Sequence, residues 1–273
     1  MPIIRDPRKV TEDSDAVFYF PGCGSERLFS QVGLATQAML YQVGAQCVLP
    51  PGYLCCGYPQ TAAGESEKGD AIIVKNRVLF HRLATTLNYL DIRTVIVSCG
   101  TCLDQLEKYE FGAIFPGARL LDIHEYLLEK GVKVDGAAGV KYLYHDPCHT
   151  PIKTAKPLGV VNGLMGDDVH LSERCCGESG TLAMTRPDVS TQVRFSKEES
   201  LRKSMARLAP EGGAVKILTS CPSCLQGLAR FEDDTGAQAD YIVVEMARRL
   251  LGENWLPEFV ARANAGGIER VLL

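Results

Sequence analysis

The sequence predicts an α/β fold of two pseudo-symmetric repeats, each a mostly parallel sheet with flanking helices. The first observation behind this is that ten of eleven cysteines recur in the order C…CCG…CxxC twice, which indicates an internal duplication. The second is that short apolar runs alternate with helical patterns, as in proteins built from βαβ units. The third is a hydrophobic content of 46% in 273 residues, which is enough to bury a sizeable core.

The repeat is carried by two sets of five cysteines, with corresponding members about 120 residues apart. The first set is Cys23, Cys55, Cys56, Cys99 and Cys102, and the second set is Cys148, Cys175, Cys176, Cys221 and Cys224. Only Cys47 falls outside the pattern, and we expect it to be a small core residue. We therefore expect a first repeat over 1–135, a second over 136–255 and a C-terminal tail over 256–273. The tail should pack on the second repeat or on a partner.

The elements of the first repeat follow from local patterns. An apolar run at 17–20 ends at Pro21-Gly22, which indicates a strand and a turn. Apolar residues then recur at helical spacing up to Gly44, a suitable helix stop. The expected order is strand 17–20, helix 26–43, strand 45–49, helix 67–90, strand 94–98, helix 101–110, and a closing strand and helix over 119–130.

The second repeat has the same signals. The run at 140–145 ends at Asp146-Pro147, and Pro187 suits the first turn of a long helix. The expected order is strand 140–145, helix 187–207, strand 215–220, helix 223–233, and a closing strand and helix over 241–251. The stretch 131–139 is small and flexible, so we expect it to be the linker.

The cysteines of each repeat should meet at one edge of its sheet. The first cysteine and the CxxC pair both follow directly on a strand, and the carboxyl ends of parallel strands face the functional crevice. Each CxxC also opens a helix, whose N-terminal N–H groups and dipole stabilise thiolates. Both thiols of a CC pair can reach one site only if the CCG lies in a turn, and Gly57 and Gly177 permit that.

Three kinds of site could use these thiols. A cubane [4Fe–4S] cluster needs four thiolates, and each repeat offers five, so a fifth could bridge irons or stay free. Structural zinc also takes four thiolates, but usually from two short CxxC knuckles, and each repeat has only one. Redox thiols without metal are the third reading. The pattern favours iron–sulfur over the other two.

Six short motifs carry a resemblance to a known family. They are Phe20-Pro21-Gly22-Cys23, Leu54-Cys55-Cys56-Gly57, Ser98-Cys99-Gly100-Thr101-Cys102, His145-Asp146-Pro147-Cys148-His149, Cys175-Cys176-Gly177-Glu178-Ser179-Gly180 and Ser220-Cys221-Pro222-Ser223-Cys224. Over about 16–252 the chain resembles the CCG-domain (cysteine-rich domain) family. Its members include one of the subunits of heterodisulfide reductase. They also include iron–sulfur subunits or domains of glycolate oxidase, anaerobic glycerol-3-phosphate dehydrogenase, L-lactate utilisation proteins and FAD-linked D-2-hydroxy-acid dehydrogenases.

The resemblance implies one [4Fe–4S] cluster per repeat. In the heterodisulfide reductase branch this is a non-cubane cluster with five thiolates. Carried over position by position, the metal ligands would be Cys23, Cys55, Cys56, Cys99 and Cys102 in the first repeat, and Cys148, Cys175, Cys176, Cys221 and Cys224 in the second. All ten are present.

The function that the resemblance implies is that of an iron–sulfur electron-transfer subunit or domain. It would pass electrons from a flavin-dependent 2-hydroxy-acid dehydrogenase to a downstream acceptor, with a further iron–sulfur protein as another candidate partner. The chain shows no GxGxxG, P-loop or nucleophile elbow, so we expect no flavin, nucleotide or catalytic residue of its own. The alternatives are a heterodisulfide or disulfide reductase that uses non-cubane clusters, and a structural zinc-binding protein.

Charge and hydropathy exclude other classes. A net charge of −4 argues against nucleic-acid binding, and no apolar run is long enough for a membrane span. The N-terminus lacks the apolar segment of a secretory signal. With eleven cysteines, this favours a reducing, cytoplasmic location, with any attachment to the inner membrane made through a partner.

Few residues outside the two sets stand out. His145 and His149 flank Cys148 and could donate to cluster sulfurs or satisfy a turn. We expect His81, His124 and His170 to be ordinary polar or packed residues, and Lys197-Glu198-Glu199 and Arg248-Arg249 to lie on solvated helix faces.

Overall fold

The structure is a computed structural model that describes residues 1–135, 139–166, 169–178, 182–210 and 213–272. The strands are β1 Pro2–Ile4, β2 Ala16–Phe20, β3 Gln46–Val48, β4 Ile92–Val97, β5 Arg119–Asp122, β6 Val140–His145, β7 His170–Leu171, β8 Ala214–Thr219, β9 Ala237–Tyr241 and β10 Ile268–Arg270. The helices are α1 Ser30–Gln42, α2 Tyr58–Ala62, α3 Ser66–Thr86, α4 Gly100–Leu106, α5 Phe111–Ile114, α6 Ile123–Glu129, α7 Pro157–Met165, α8 Leu182–Thr185, α9 Pro187–Leu208, α10 Pro222–Ala229, α11 Glu232–Thr235, α12 Ile242–Leu251 and α13 Trp255–Arg262. Gly24–Leu28 and Ala263–Gly267 are π-helical, and Glu107–Tyr109 forms a 3-10 turn.

The strands form two sheets with a shared plan. The first sheet has the order β10-β1-β3-β2-β4-β5, in which β3, β2, β4 and β5 are parallel and β1 and β10 are antiparallel additions. The second sheet has the order β7-β6-β8-β9 and is parallel throughout. The four parallel strands therefore follow the same order in both sheets, which confirms the two pseudo-symmetric α/β repeats.

The core explains why the central strands are almost continuously apolar. In β2, Val17 and Tyr19 face a cluster formed with α1, α6, α7, α12 and α13, whereas Phe18 and Phe20 face a second cluster with Phe80 of α3. A third cluster joins the other face of the second sheet to α9 and α10. Both faces of each sheet are covered, as parallel sheets require. Helix α1 packs on α12, and helix α6 packs on α7. Helices from both repeats therefore fill the space between the sheets.

The C-terminal tail corrects an expectation. We expected residues 256–273 to pack on the second repeat or on a partner. Helix α13 does contact α12 of the second repeat, but it also packs on α1, and β10 pairs with β1 at the edge of the first sheet. The ring of Phe259 in α13 packs edge-on against Tyr41 of α1, with centroids 5.8 Å apart. The closing strand of the second repeat also precedes the expected range, because β9 ends at Tyr241.

Some sequence features lie outside the described residues. These are 136–138 in the expected linker, Ser179 and Gly180 in the second CCG motif, and the last residue of the tail. Among the helices that the structure describes, none is both long and apolar enough to cross a membrane.

Candidate metal centre

The carboxyl ends of the central strands deliver the cysteines to one place. Cys23 follows β2 after a turn, and Cys99 lies two positions after the last residue of β4 and directly precedes α4. The CC pair of the first set comes from the loop before α2, where Gly57 has a φ of 94° and begins the helix. The corresponding Gly177 has a φ of 76°. Both glycines thus have the turn conformation expected at CCG.

The thiols of the first set form a continuous series of contacts. The Cys55 thiol lies beside those of Cys23 and Cys56. The Cys102 thiol lies beside those of Cys56 and Cys99. The structure therefore brings together all five thiols that the sequence assigned to the first repeat.

The second set repeats this arrangement. The Cys175 thiol lies beside those of Cys148 and Cys176. Cys176 Sγ donates to Cys224 Sγ at 3.4 Å, and Cys224 also contacts Cys221. The five thiols that the sequence assigned to the second repeat are likewise together.

The two sets meet at the CxxC pairs. The Cys99 thiol of the first set lies beside the Cys221 thiol of the second. The ten thiols consequently form one series across the molecule, with the CxxC cysteines buried at its centre. Cys23 and Cys55 are half-buried at one end, whereas Cys148 and Cys175 are exposed at the other. Cys47 is buried in β3, and its raised pKa comes from burial alone, without a neighbouring thiol.

At the first cysteine and the CC pair, the thiol pKa values follow the same pattern in both sets. Hydrogen bonds from Cys23 and Cys56 lower the pKa of Cys55 to about 3. Hydrogen bonds from Cys148 and Cys176 lower the pKa of Cys175 to about 2. The neighbours Cys23 and Cys148 have raised pKa values because each shares a proton with the adjacent thiolate. Without a cation, thiols this close cannot all ionise.

The donor set fits a sulfur-ligated metal centre. Each set offers five thiols in a chain of neighbouring pairs, and soft thiolates select zinc or iron–sulfur clusters. Gly22 leaves room for Cys102, since a Cβ on Gly22 would lie 2.7 Å from the Cys102 Sγ. A lone tetrahedral zinc would use four thiolates of a set and leave the fifth without a metal.

One imidazole lies close to the second set. A ring nitrogen of His145 and the thiols of Cys176 and Cys224 are within 4.8 Å of one another. Lys197 Nζ lies 3.2 Å from His145 Nδ1, and an ammonium can only donate, so Nδ1 accepts. Burial and the charge of Lys197 lower the pKa of His145 to about 3. The neutral ring therefore carries its hydrogen on Nε2, so the group that His145 can offer to a sulfur is an N–H donor.

The other histidines have structural roles or lie apart. His149 Nδ1 bonds to Asp104 of α4, and His149 Nε2 lies 3.3 Å from the Tyr58 hydroxyl, so this side chain links the two repeats. His124 is fully buried with its Nδ1 2.6 Å from Asp122 Oδ1. His81 is exposed on α3, and His170 begins β7.

The environment of Lys197 differs from the one that the sequence predicts. We expected Lys197-Glu198-Glu199 to lie on a solvated helix face, but the Lys197 side chain is 0% exposed. Helical spacing carries the missed signal, because Ser190, Lys197 and Leu201 share the buried face of α9. Arg248 and Arg249 were likewise expected on a solvated face, but both bond to the buried Glu245 and are only about a quarter exposed.

Comparison with known proteins is consistent with this site. A family profile described as "Cysteine-rich domain" (CCG) matches residues 17–107 and 142–229, and one described as a domain of unknown function (DUF3400) matches residues 229–273. The chain is 26% identical to a subunit of "Fumarate reductase (CoM/CoB)" from Methanothermobacter marburgensis, over 76% of this chain and 40% of that protein.

Two bacterial relatives are similar to the same degree. The chain is 26% identical to "Lactate utilization protein A" of an Exiguobacterium species, over 78% of this chain and 88% of the relative. It is 25% identical to "Probable glycolate oxidase iron-sulfur subunit" of Bacillus subtilis, over 86% of this chain and 54% of the relative. The chain spans 40% to 48% of the length of the first three relatives it matches. Because the CCG profile covers more than half of its residues and both cysteine sets, this chain belongs to the CCG cysteine-rich domain family.

Proposed function

We propose that this chain binds two iron–sulfur clusters and transfers electrons between a flavoprotein and a downstream acceptor. The observation that carries the proposal is the series of ten thiols, five from each set, at the carboxyl ends of the two sheets. The proposed ligands are Cys23, Cys55, Cys56, Cys99 and Cys102 for one cluster, and Cys148, Cys175, Cys176, Cys221 and Cys224 for the other. When bound, such clusters supply one-electron chemistry.

The chain's own residues would hold the clusters and set their surroundings. Each CxxC begins a helix, so backbone N–H groups of α4 and α10 point towards the thiolates and stabilise their charge. Hydrophobic and aromatic residues around the buried thiols exclude water. We propose repeats 1–135 and 136–255 as the units that each contribute one set, with 256–273 as a tail.

The names of the relatives support a donor class. One relative is named as a lactate utilization protein and another as an iron–sulfur subunit of glycolate oxidase. We therefore propose a flavin-dependent 2-hydroxy-acid dehydrogenase, as subunit or domain, as the electron donor. The many free thiols fit a reducing compartment, so we propose a cytoplasmic location, with contact to the inner membrane only through a partner.

The test uses the anaerobically prepared chain with and without a flavoprotein 2-hydroxy-acid dehydrogenase. Lactate or glycolate together with the flavoprotein should reduce the clusters, seen as loss of visible absorbance. The acid alone should not reduce them, because hydride acceptors of this kind are cofactors and we expect none on this chain. Robust oxidation of the acid by the chain alone would contradict the proposal.

A second candidate function is disulfide reduction. The observation that favours it is the contact between Cys99 and Cys221, which brings the two sets together, with a relative named as a fumarate reductase (CoM/CoB) subunit. If reduced chain alone cleaves a thiol disulfide with the release of two thiols, the chain is itself the reductase. If it does not, the electron-transfer proposal stands alone.

A further inference from the structure

The two cysteine sets have different surroundings, and the largest difference is a buried lysine. Lys197 Nζ donates to Ser172 Oγ at 2.8 Å and to the backbone carbonyls of Glu173 and Arg174 at 2.7 and 3.1 Å. It also donates to His145 Nδ1. All these acceptors are neutral, and no described carboxylate lies within ion-pair distance. The positive charge of Lys197 is therefore not neutralised by an ion pair with a described residue, and it contributes to the electrostatic potential at the second set.

The charge of Lys197 acts directly on the thiols of the second set. Burial lowers the pKa of Lys197 to about 8, while Cys176, Cys224 and Cys175 oppose that shift. The side chain therefore remains mostly protonated at neutral pH. Because the effective dielectric constant of a buried site is well below that of water, the charge of Lys197 interacts strongly with these thiols.

The first set has no cation in the corresponding position. Helix α3 follows the first CCG as α9 follows the second, and Asn76 of α3 takes the place of Lys197. Its Nδ2 donates to the Cys55 carbonyl at 2.8 Å and to the Tyr109 hydroxyl at 2.9 Å. Phe20 ends β2 where His145 ends β6. A neutral amide and a phenyl ring thus replace an ammonium and an imidazole N–H donor.

Both differences should raise the reduction potential of a cluster on the second set above that of a cluster on the first. An added electron makes a cluster more negative, so a nearby positive charge and N–H donors to sulfur stabilise the reduced form. The second set has both, from Lys197 and His145. It is also the end of the series that reaches the surface, since Cys148 and Cys175 are exposed while Cys23 and Cys55 are half-buried.

We propose that Lys197, together with His145, makes the second set the higher-potential site, so that an electron delivered to the first set comes to rest at the second, beside the protein surface. The inference rests on the proposed function, because it needs a cluster on each set. One electron moves from the first site to the second, no bond forms or breaks, and Lys197 keeps its proton. A reduced flavin is the donor, and the exposed second set is where the acceptor would dock.

The test is an anaerobic redox titration of the full chain, with each cluster followed by electron paramagnetic resonance. Variants C55S and C175S assign each signal to its set. K197N should shift the electron-partition constant at least tenfold towards the first set, which is about 59 mV for one electron. N76K should shift it in the same sense by raising the potential of the first set. K197R should retain the wild-type value, because it keeps the charge.

Lys203 provides the matched control. It is an exposed lysine on the same helix, so K203N should leave both potentials unchanged. If wild-type protein binds no iron and sulfide, the proposed function and this inference both fail. If both sets bind clusters but K197N and N76K change the partition constant by less than about twofold, only the inference is wrong. If K197N no longer binds a cluster at the second set, the inference is tested by N76K, and a change of less than about twofold in its partition constant would show that the inference is wrong.

Discussion

Exposure divides the ten thiols into an inner and an outer group. Six of them, the CxxC cysteines and the second cysteine of each CC pair, are buried. The first cysteine of each CC pair and the cysteine after the first strand lie nearer the surface. Among the outer thiols, Cys55 and Cys175 have lowered pKa values, so we expect these accessible thiolates to offer the initial contact for an incoming metal.

Serine substitution in one set should affect that set alone. We expect C55S to abolish the cluster signal of the first set and to leave that of the second, because Cys55 contacts only thiols of its own set. Iron and sulfide per chain should fall by about half. Electron paramagnetic resonance and metal analysis of the reduced protein check this. Cys47 supplies the control, since it contacts neither set, and C47S should retain both signals. Loss of both signals in C55S would contradict independent sites.

Among the elements, the start of each CxxC helix packs on the loop of the opposite repeat. Gly100 begins α4, and a Cβ there would lie 1.5 Å from the His149 carbonyl oxygen. In the corresponding pair, a Cβ on Gly24 would lie 2.9 Å from the Pro222 ring. The two contacts are related by the pseudo-twofold arrangement, and they hold Cys99 and Cys221 close together.

A methyl group added at Gly100 should lower the stability of the protein. We expect G100A to lower the free energy of unfolding by about 3 kcal/mol, because a backbone carbonyl cannot move aside as a flexible side chain can. Anaerobic urea unfolding measures the change. G112A is the matched control, since its Cβ would meet only the Ala118 carbonyl oxygen at 3.9 Å and helical Gly to Ala is neutral or stabilising. Equal stability of the two variants would refute the packing argument.

A buried carboxylate attaches helix α12 to the second sheet. Burial alone would raise the pKa of Glu245, but hydrogen bonds outweigh it and lower that pKa to about 2. The donors are Lys216 Nζ at 2.6 Å, Tyr142 Oη at 2.8 Å, Arg249 Nε at 2.8 Å and Arg248 Nη1. Because the folded pKa lies below the unfolded value, this contribution is complete above about pH 4.3 and is lost as pH falls towards 2.

The pH dependence should disappear in the amide variant. We expect E245Q to be less stable than wild type by about 3 kcal/mol at pH 7, because the three basic side chains of Lys216, Arg248 and Arg249 lose their buried partner. The difference should shrink as the pH falls from 4.3 towards 2, measured by urea unfolding at a series of pH values. A difference that stays constant with pH would show that the carboxylate charge is not the cause.

Sequence patterns predicted the elements that carry cysteines better than those that do not. The strands before Cys99, Cys148 and Cys221 were found within two residues because β-rich runs end there in obvious turns. Strands β1, β7 and β10 have only two or three residues each, too few for a periodic signal. The burial of Lys197 was not predicted because a charged side chain is normally expected at the surface. Its hydrogen-bond partners lie in a loop that is distant in sequence.

At the scale of the whole molecule, the C-terminal segment joins the two ends of the chain. The Met1 amino group donates to the Val271 carbonyl at 2.9 Å, and β10 extends the first sheet beyond β1. Hydrophobic pattern alone could not place this segment, because strand pairing between residues far apart in sequence is decided by the tertiary fold.

Removing the tail should therefore weaken the first sheet rather than the second. We expect a chain ending at residue 255 to lose amide protection at Ile3, which faces Glu269 of β10, and at Arg5, whose N–H donates to the Gly267 carbonyl at 2.9 Å, because both lose their partners in the tail. Hydrogen exchange followed by mass spectrometry checks this, with β8 of the second sheet as the internal control. Greater loss of protection in β8 than in β1 would contradict the observed packing.

The central claim is that two sets of five thiols each hold an iron–sulfur cluster. The most direct measurement is iron, acid-labile sulfide and zinc analysis of the chain purified anaerobically. The account predicts iron and sulfide in equal amounts, about eight of each per chain if both clusters are [4Fe–4S], with little zinc. Stoichiometric zinc without sulfide in that preparation would contradict it.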